Sequence, residues 1–262
     1  EMRESDWSSD VCSSDLLAVL VSYRLDFASA HKFWQHAANL DAKNPLVYIA
    51  AASVYAAQGL VNLATEQAKL AYELGGGAKS LNLLAAYSLS SDVVSLDEQA
   101  EVLANYQKEV KSLPFQMTYT NDLSKTRRLK LGVMAGSLNE TPWSYVWLPF
   151  LEFLDRTKFE LFIYYYGEQF DQTIHRLKQM TEPFRCIRGL DATIVEALLK
   201  DDEIDILISF AEYGTYSVLP FLSSHTVPVQ IAWPQTHIPL PPGSTNYQLS
   251  SQSTRFVAEK YQ

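Results

Sequence analysis

The stretch Arg127–Tyr145, "RRLKLGVMAGSLNETPWSY", carries Ser137, Asn139, Glu140, Thr141 and Tyr145 within nine residues. It reads as a buried strand that stops at Gly136 and hands over to a helix. Hydroxyls and amides at such a crossover can orient a polar substrate. A carboxylate there can take a proton if burial raises its pKa. The same carboxylate near a helix N-terminus can also be a solvated loop residue, where negative charge is favoured. The crossover has no imidazole, the usual acid–base group near neutral pH. His237, on the loop after a later strand, could supply one from another direction. Glu140, Thr141 and His237 are therefore the catalytic candidates. Ser137, Asn139, Tyr145 and Tyr213 are the substrate-binding candidates.

These residues need elements to hold them. From residue 128 onward, apolar runs alternate with amphipathic segments. "RLKLGVMAG", "FELFIYYYGE", "FRCIRGL", "IDILISF", "PVQIAWPQ" and "NYQLSS" read as strands. "PWSYVWLPFLEFLD", "DQTIHRLKQM", "DATIVEALLKDD" and the short "YSVLPFLSS" read as helices. Pro142 suits a first helical turn and Asp191 an N-cap. Strands alternating with helices predict a parallel, Rossmann-like sheet. Its ligands belong at the carboxyl ends of the strands. That edge comprises 135–145, 166–169, 210–215 and 234–244. Of the Tyr164–Tyr166 run, only Tyr166 at the strand exit could reach it. Trp233 is expected in the core.

Residues 17–114 are different: rich in Ala and Leu, without strand-like alternation. In "NPLVYIAAASVYAAQGLVNLATEQAKLAYELGGG", Tyr48, Ala51, Ala52, Tyr55, Gly59, Ala64, Ala68 and Ala71 fit a tetratricopeptide-like pattern. Small residues let two antiparallel helices cross closely, and the repeat is about 34 residues long. Ala30, Trp34 and Ala37 fall on an earlier copy, and "SLNLLAAYSL" begins a weaker one. The expected organisation is helical repeats over 17–114, a linker over 115–127 and the sheet domain over 128–262. His31 and His36 are expected to pack or face solvent, as are His175 and His225.

Residues 1–16 stand apart. "DWSSDVCSSDL" follows no structural period and reads as the translation of sequencing-adapter DNA, so it is set aside from the fold. The native N-terminus is then expected to lie elsewhere, and "FVAEKYQ" at the end resembles the start of a helix. Setting 1–16 aside removes five acids and one base and moves the net charge from −9 to −5. Cys186 is then the one cysteine, which excludes an internal disulfide or a thiolate pair for a metal and suggests a reducing, cytoplasmic setting. The mildly acidic balance disfavours nucleic acid and anionic membranes as partners. A composition of 47% apolar, 12% aromatic and 19% charged residues is enough for a sizeable core. "LLAVLVSY" is too short for a membrane span of about 20 residues. There is no G-x-G-x-x-G after the first strand, no G-x-x-x-x-G-K-[ST] and no metal-ligand spacing, so no cofactor or metal is expected.

The order of helical repeats, linker, "RLKLGVMAGSLNETPWSY", "KFELFIYYYG", "DDEIDILISF", "HTVPVQIAWPQ" and "NYQLSS" resembles the protein O-GlcNAc transferase family, including its SPINDLY-like members. "EIDILISF … VPVQIAW" is the most specific part. The resemblance implies the repeats plus the N-terminal, acceptor-side Rossmann-like domain of a GT-B glycosyltransferase. It implies an activity that moves a sugar from a nucleotide-sugar such as UDP-GlcNAc to protein Ser/Thr, with the polypeptide guided by the repeats. The donor-binding half would lie outside this chain. The departures matter. The family's histidine after the first strand falls on Thr141, a second histidine on Tyr145, and an Asp on Ser137. The R-P-A-P arginine falls on His225, and "PQTHIPLPPGS" replaces the G-Y-P-G-T loop. These losses keep a second expectation open: a catalytically degenerate protein-interaction scaffold.

Overall fold

The computed structural model describes residues 14–110, 119–124, 126–181, 183–214, 217–222, 225–233, 240 and 244–249. The chain divides into two compact units, residues 1–109 with 213–215, and 110–212 with 216–262.

The first unit is helical. Residues 14–22 form α1. Phe27–Leu40, Pro45–Ala57, Val61–Glu73, Gly77–Ser88 and Leu96–Val110 form α2 to α6. Of the stretch set aside as adapter-derived, only 14–16 are described, and they open α1. The starts of α2 and α3 are chemical. The Asp26 carboxylate accepts from the Ser29 amide, and the Asn44 side chain from the Leu46 amide with Pro45 behind it. A reciprocal Ser95–Glu98 pair opens α6. Ala30, Ala37, Ala51, Ala52, Ala64, Ala68 and Ala71 are fully buried. They are the small residues that close packing of adjacent helices requires. Gly59 turns α3 into α4 at φ +76°, a conformation that a side chain would strain.

His31 and Trp34 do more than pack. The Trp34 indole donates to His31 Nδ1 at 2.9 Å, and Gln58 meets His31 Nε2 at 2.7 Å. Indole is donor-only, so His31 Nδ1 accepts from Trp34.

The second unit is a parallel sheet of β1 (Leu129–Ala135), β2 (Phe159–Tyr165), β3 (Phe184–Cys186), β4 (Ile206–Phe210), β5 (Val229–Ala232) and β6 (Tyr247–Gln248), in the order β3-β2-β1-β4-β5-β6. Helices α7 (Ser144–Glu152), α8 (Gln172–Met180) and α9 (Ala192–Asp201) alternate with the first four strands. The continuous apolar runs of β1 and β2 follow from burial on both faces of a parallel sheet. Val133, Ile163, Tyr165, Leu138, Trp147, Leu151, Ile174 and Phe210 make its core. Trp233 packs on that core, edge-on to Phe210 at 5.5 Å, as expected of a core residue.

Three elements are shorter than the sequence suggests. α7 begins at Ser144, because Pro142 and Trp143 form a turn ahead of it. β3 ends at Cys186, because the chain then turns at Gly189 (φ +76°). The segment after β4 makes only a 3-10 turn, Leu219–Phe221, started by Pro220. Among the described residues no helix is long and apolar enough to cross a membrane.

Candidate functional site

β1 is the hinge of the topology: the chain builds outward from it first through β2 and then through β4. In such doubly wound sheets the ligand crevice lies at the carboxyl ends of the two strands flanking that reversal. Here those are β1 and β4. Their register pairs Ala135 with Phe210. Two residues further along each strand stand Ser137 and Glu212. The Ser137 hydroxyl donates to Glu212 Oε1 at 3.3 Å and bridges the two strand exits.

The rest of the β1–α7 loop is fixed from the other side. The Gly136 carbonyl presses on Gly167, where no Cβ would fit. Leu138 is fully buried in the sheet core. Asn139 donates to Gln169 Oε1 at 2.9 Å. The Glu140 amide donates to Asp171 Oδ2, while Asp171 Oδ1 caps α8 through the Ile174 amide at 3.0 Å. The Tyr165 hydroxyl donates to the Gln169 carbonyl at 2.7 Å and holds the β2–α8 loop against this edge. The Thr141 carbonyl accepts from both the Ser144 amide and its hydroxyl, at 2.9 and 2.6 Å. The loop is thus stapled in place before any ligand arrives.

This stapling separates the residues the sequence grouped. Ser137 faces the β4 exit. Asn139 and the Glu140 backbone are tied to the β2 exit and the start of α8. The exposed Glu140 and Tyr145 side chains and Arg176 rim an open cleft of about 490 Å³ between α7 and α8, outside the strand ends. Thr141 is half-buried at the turn into α7. Tyr213 is 7% exposed and belongs to the helical unit, its ring edge-on to Tyr106 at 5.6 Å. His237 lies outside the described residues. Tyr166 sits at the β2 exit with its ring edge-on to Phe221 at 5.3 Å. Of the other histidines, His175 is exposed on α8, and His225 precedes β5 at the opposite edge of the sheet.

Glu212 is the residue that sequence reading passed over. It is half-buried, and burial pushes its carboxyl above the ordinary glutamate range, with the Ser137 hydrogen bond pulling the other way. Among the described residues its second oxygen, Oε2, has no protein partner. The signal in the sequence is slight: one acid directly after an apolar strand, in "SFAEYG". Among the described residues no three His, Cys, Asp or Glu side chains converge to hold a metal ion.

The opposite half of the sheet is held by another carboxylate. Asp202, at the end of α9, accepts the buried Tyr164 hydroxyl at 2.6 Å and both Nε and Nη2 of Arg185. This cluster joins α9 to β2 and β3. At the start of β4, Asp205 binds Arg127 in a fork (2.6 and 2.7 Å), the Lys130 amide (2.8 Å) and Asn121 (2.9 Å). It docks the segment leading into β1.

No family model matches the chain, and no curated protein does. Solved structures do. A mutant of the Thermobaculum terrenum O-GlcNAc transferase superposes with a TM-score of 0.82 at 20% identity, covering 93% of this chain and 47% of that one. The chain therefore spans about half the length of the protein it matches. At that identity the likeness establishes architecture: helical repeats followed by a Rossmann-like parallel sheet, a glycosyltransferase-like fold.

Proposed function

We propose that this chain is the acceptor-side part of a glycosyltransferase that moves a GlcNAc-type sugar from a nucleotide-sugar to Ser/Thr hydroxyls of proteins. The observation that carries the reading is the extent of the structural match. A Rossmann-like sheet alone hosts many functions. Here the likeness runs through 93% of the chain, helices and sheet in the same order. The helical repeats are the tetratricopeptide-like guide for the acceptor polypeptide. The strand ends at β1 and β4 form the acceptor wall of the cleft. UDP-GlcNAc is the expected donor and acts as a substrate, with no resident cofactor. The turn after β1, "GSLNETP", lacks the glycine spacing of a phosphate cradle. Nucleotide binding is therefore not assigned to these residues.

A second reading is a silent interaction scaffold. The observation favouring it is that Thr141 stands where the family resemblance places a histidine, while Glu140 is held on the α8 side of the loop. The two readings separate by experiment. The reading frame is extended in both directions from this chain, and the product is assayed with UDP-GlcNAc and serine-containing peptides. Peptide-dependent UDP release with sugar on the peptide supports the transferase. No release, from a frame without a second Rossmann-like half, establishes the scaffold.

A further inference from the structure

We infer that Glu212 is the group that receives the proton of an acceptor hydroxyl in the crevice between β1 and β4, and that Ser137 positions it. The inference rests on the transferase reading for its chemistry, but not for its site. The site follows from the sheet. The reversal of strand order falls between β1 and β4, and the Ala135–Phe210 register sets Ser137 and Glu212 opposite each other beyond it. The Ser137 hydroxyl holds Oε1 at 3.3 Å, and among the described residues Oε2 has no protein partner. A hydroxyl entering the crevice would meet one carboxylate oxygen already anchored and the other without a partner among the described residues.

The position also suits the task. A base works best when its pKa lies near the working pH. Burial moves Glu212 in that direction, and Ser137 limits how far. Glu140 and Tyr145, the candidates read from the sequence, border the outer cleft between α7 and α8 instead.

The step balances without a metal or redox partner. The acceptor O–H bond breaks as its oxygen bonds to C1 of the sugar. The bond from C1 to the diphosphate oxygen breaks, and its electron pair leaves with the nucleoside diphosphate. The proton passes to Glu212 Oε2. Ser137 keeps its own proton throughout. It is a positioning residue, not a nucleophile.

The test uses the 262-residue chain. First, glutamate side chains are labelled with 13C at the carboxyl, and Glu212 is titrated by NMR. The expected midpoint lies above the ordinary value of about 4.3. Ser137→Ala moves it further up, because the hydrogen bond that opposes burial is gone. A midpoint at the ordinary value, or one that Ser137→Ala leaves unmoved, overturns the assignment. Second, binding is measured for a short peptide with one central serine and for its alanine counterpart. The serine peptide binds about tenfold tighter, the worth of one hydrogen bond to a charged group. In Glu212→Gln that preference collapses toward one. Equal binding of the two peptides by the unmutated chain, or a preference that survives Glu212→Gln, overturns the proposal. A Glu212-dependent preference without sugar transfer in the extended protein leaves the hydroxyl site standing and removes the transferase reading. Sugar transfer undiminished in Glu212→Gln does the reverse. Should Glu212→Gln fail to fold, the Ser137→Ala titration decides.

Discussion

Removing the Tyr164 hydroxyl and the Asp202 carboxylate, singly and together, tests whether the cluster behind the site acts as one unit. Tyr164 is fully buried in β2, and Asp202 is 8% exposed at the end of α9. In Tyr164→Phe the carboxylate keeps Arg185, so nothing is stranded. The cost is one hydrogen bond to a charged acceptor, about 1.5 kcal/mol. In Asp202→Ala the same bond is lost and the Tyr164 hydroxyl is left in the core without its acceptor. Stranding a buried hydroxyl costs a further 1–3 kcal/mol or so. Arg185 adds less, because its side chain is one-third exposed and water replaces part of its pairing. Asp202→Ala therefore costs about 3 kcal/mol. The double variant no longer strands the hydroxyl, so it costs about 1.5 kcal/mol, less than Asp202→Ala alone. The expected coupling is thus roughly 3 kcal/mol. Urea unfolding of all four proteins, followed by far-UV circular dichroism, reads it as shifts in midpoint at constant slope. Costs that add to within about 0.5 kcal/mol refute the reasoning. They would mean that Tyr164 and Asp202 stabilise the sheet independently.

Three further outcomes are expected. A Cβ on Gly167 would overlap the Gly136 carbonyl and the Tyr165 hydroxyl, so Gly167→Ala costs about 2–3 kcal/mol in unfolding experiments; Gly59→Ala has open space, so it costs only the strain of φ +76°, about 1 kcal/mol. For Asp205, burial raises the carboxyl pKa but the hydrogen bonds from Arg127, the Lys130 amide and Asn121 outweigh it and hold it low. A depressed folded pKa means stability that is present above the unfolded value and lost as pH falls through the folded one, so acid titration of stability weakens the protein below about pH 4 and Asp205→Asn flattens that limb. Glu212 has the opposite sign: its raised pKa gives stability at low pH that is lost as pH rises through the folded value, so Glu212→Gln is more stable than the unmutated chain at pH 8 and gains nothing at pH 4, measured by thermal unfolding.

The sequence alone determined the architecture, because its signals are local or periodic. Ala30, Ala37, Ala64, Ala68 and Ala71 recur at helical spacing, and helix crossings need small residues there. "LKLGVMA" and "FELFIYY" are apolar without alternation, as strands buried on both faces must be. Asp26, Asn44 and Asp191 cap helices through contacts two or three residues away. Strand ends were legible for the same reason, so Ser137 was placed at the right edge of the sheet. Element lengths were less legible. "FRCIRGL" reads as one strand, but β3 stops at Cys186 ahead of the turn at Gly189.

The site was decided by the tertiary structure. Ser137 and Glu212 lie 75 residues apart, and only the β1–β4 register brings them face to face. Glu140 and Asn139 looked equivalent to Ser137 in a string of polar residues. The contacts with Asp171 and Gln169 turn them to the other side of the loop. Tyr213, adjacent to Glu212 in sequence, is buried against Tyr106 instead. A side chain's neighbour along the chain is fixed by covalent bonds, but its electrostatic environment is fixed by what packs around it. That is why a glutamate unremarked in "SFAEYG" becomes the carboxyl whose proton affinity the fold has changed.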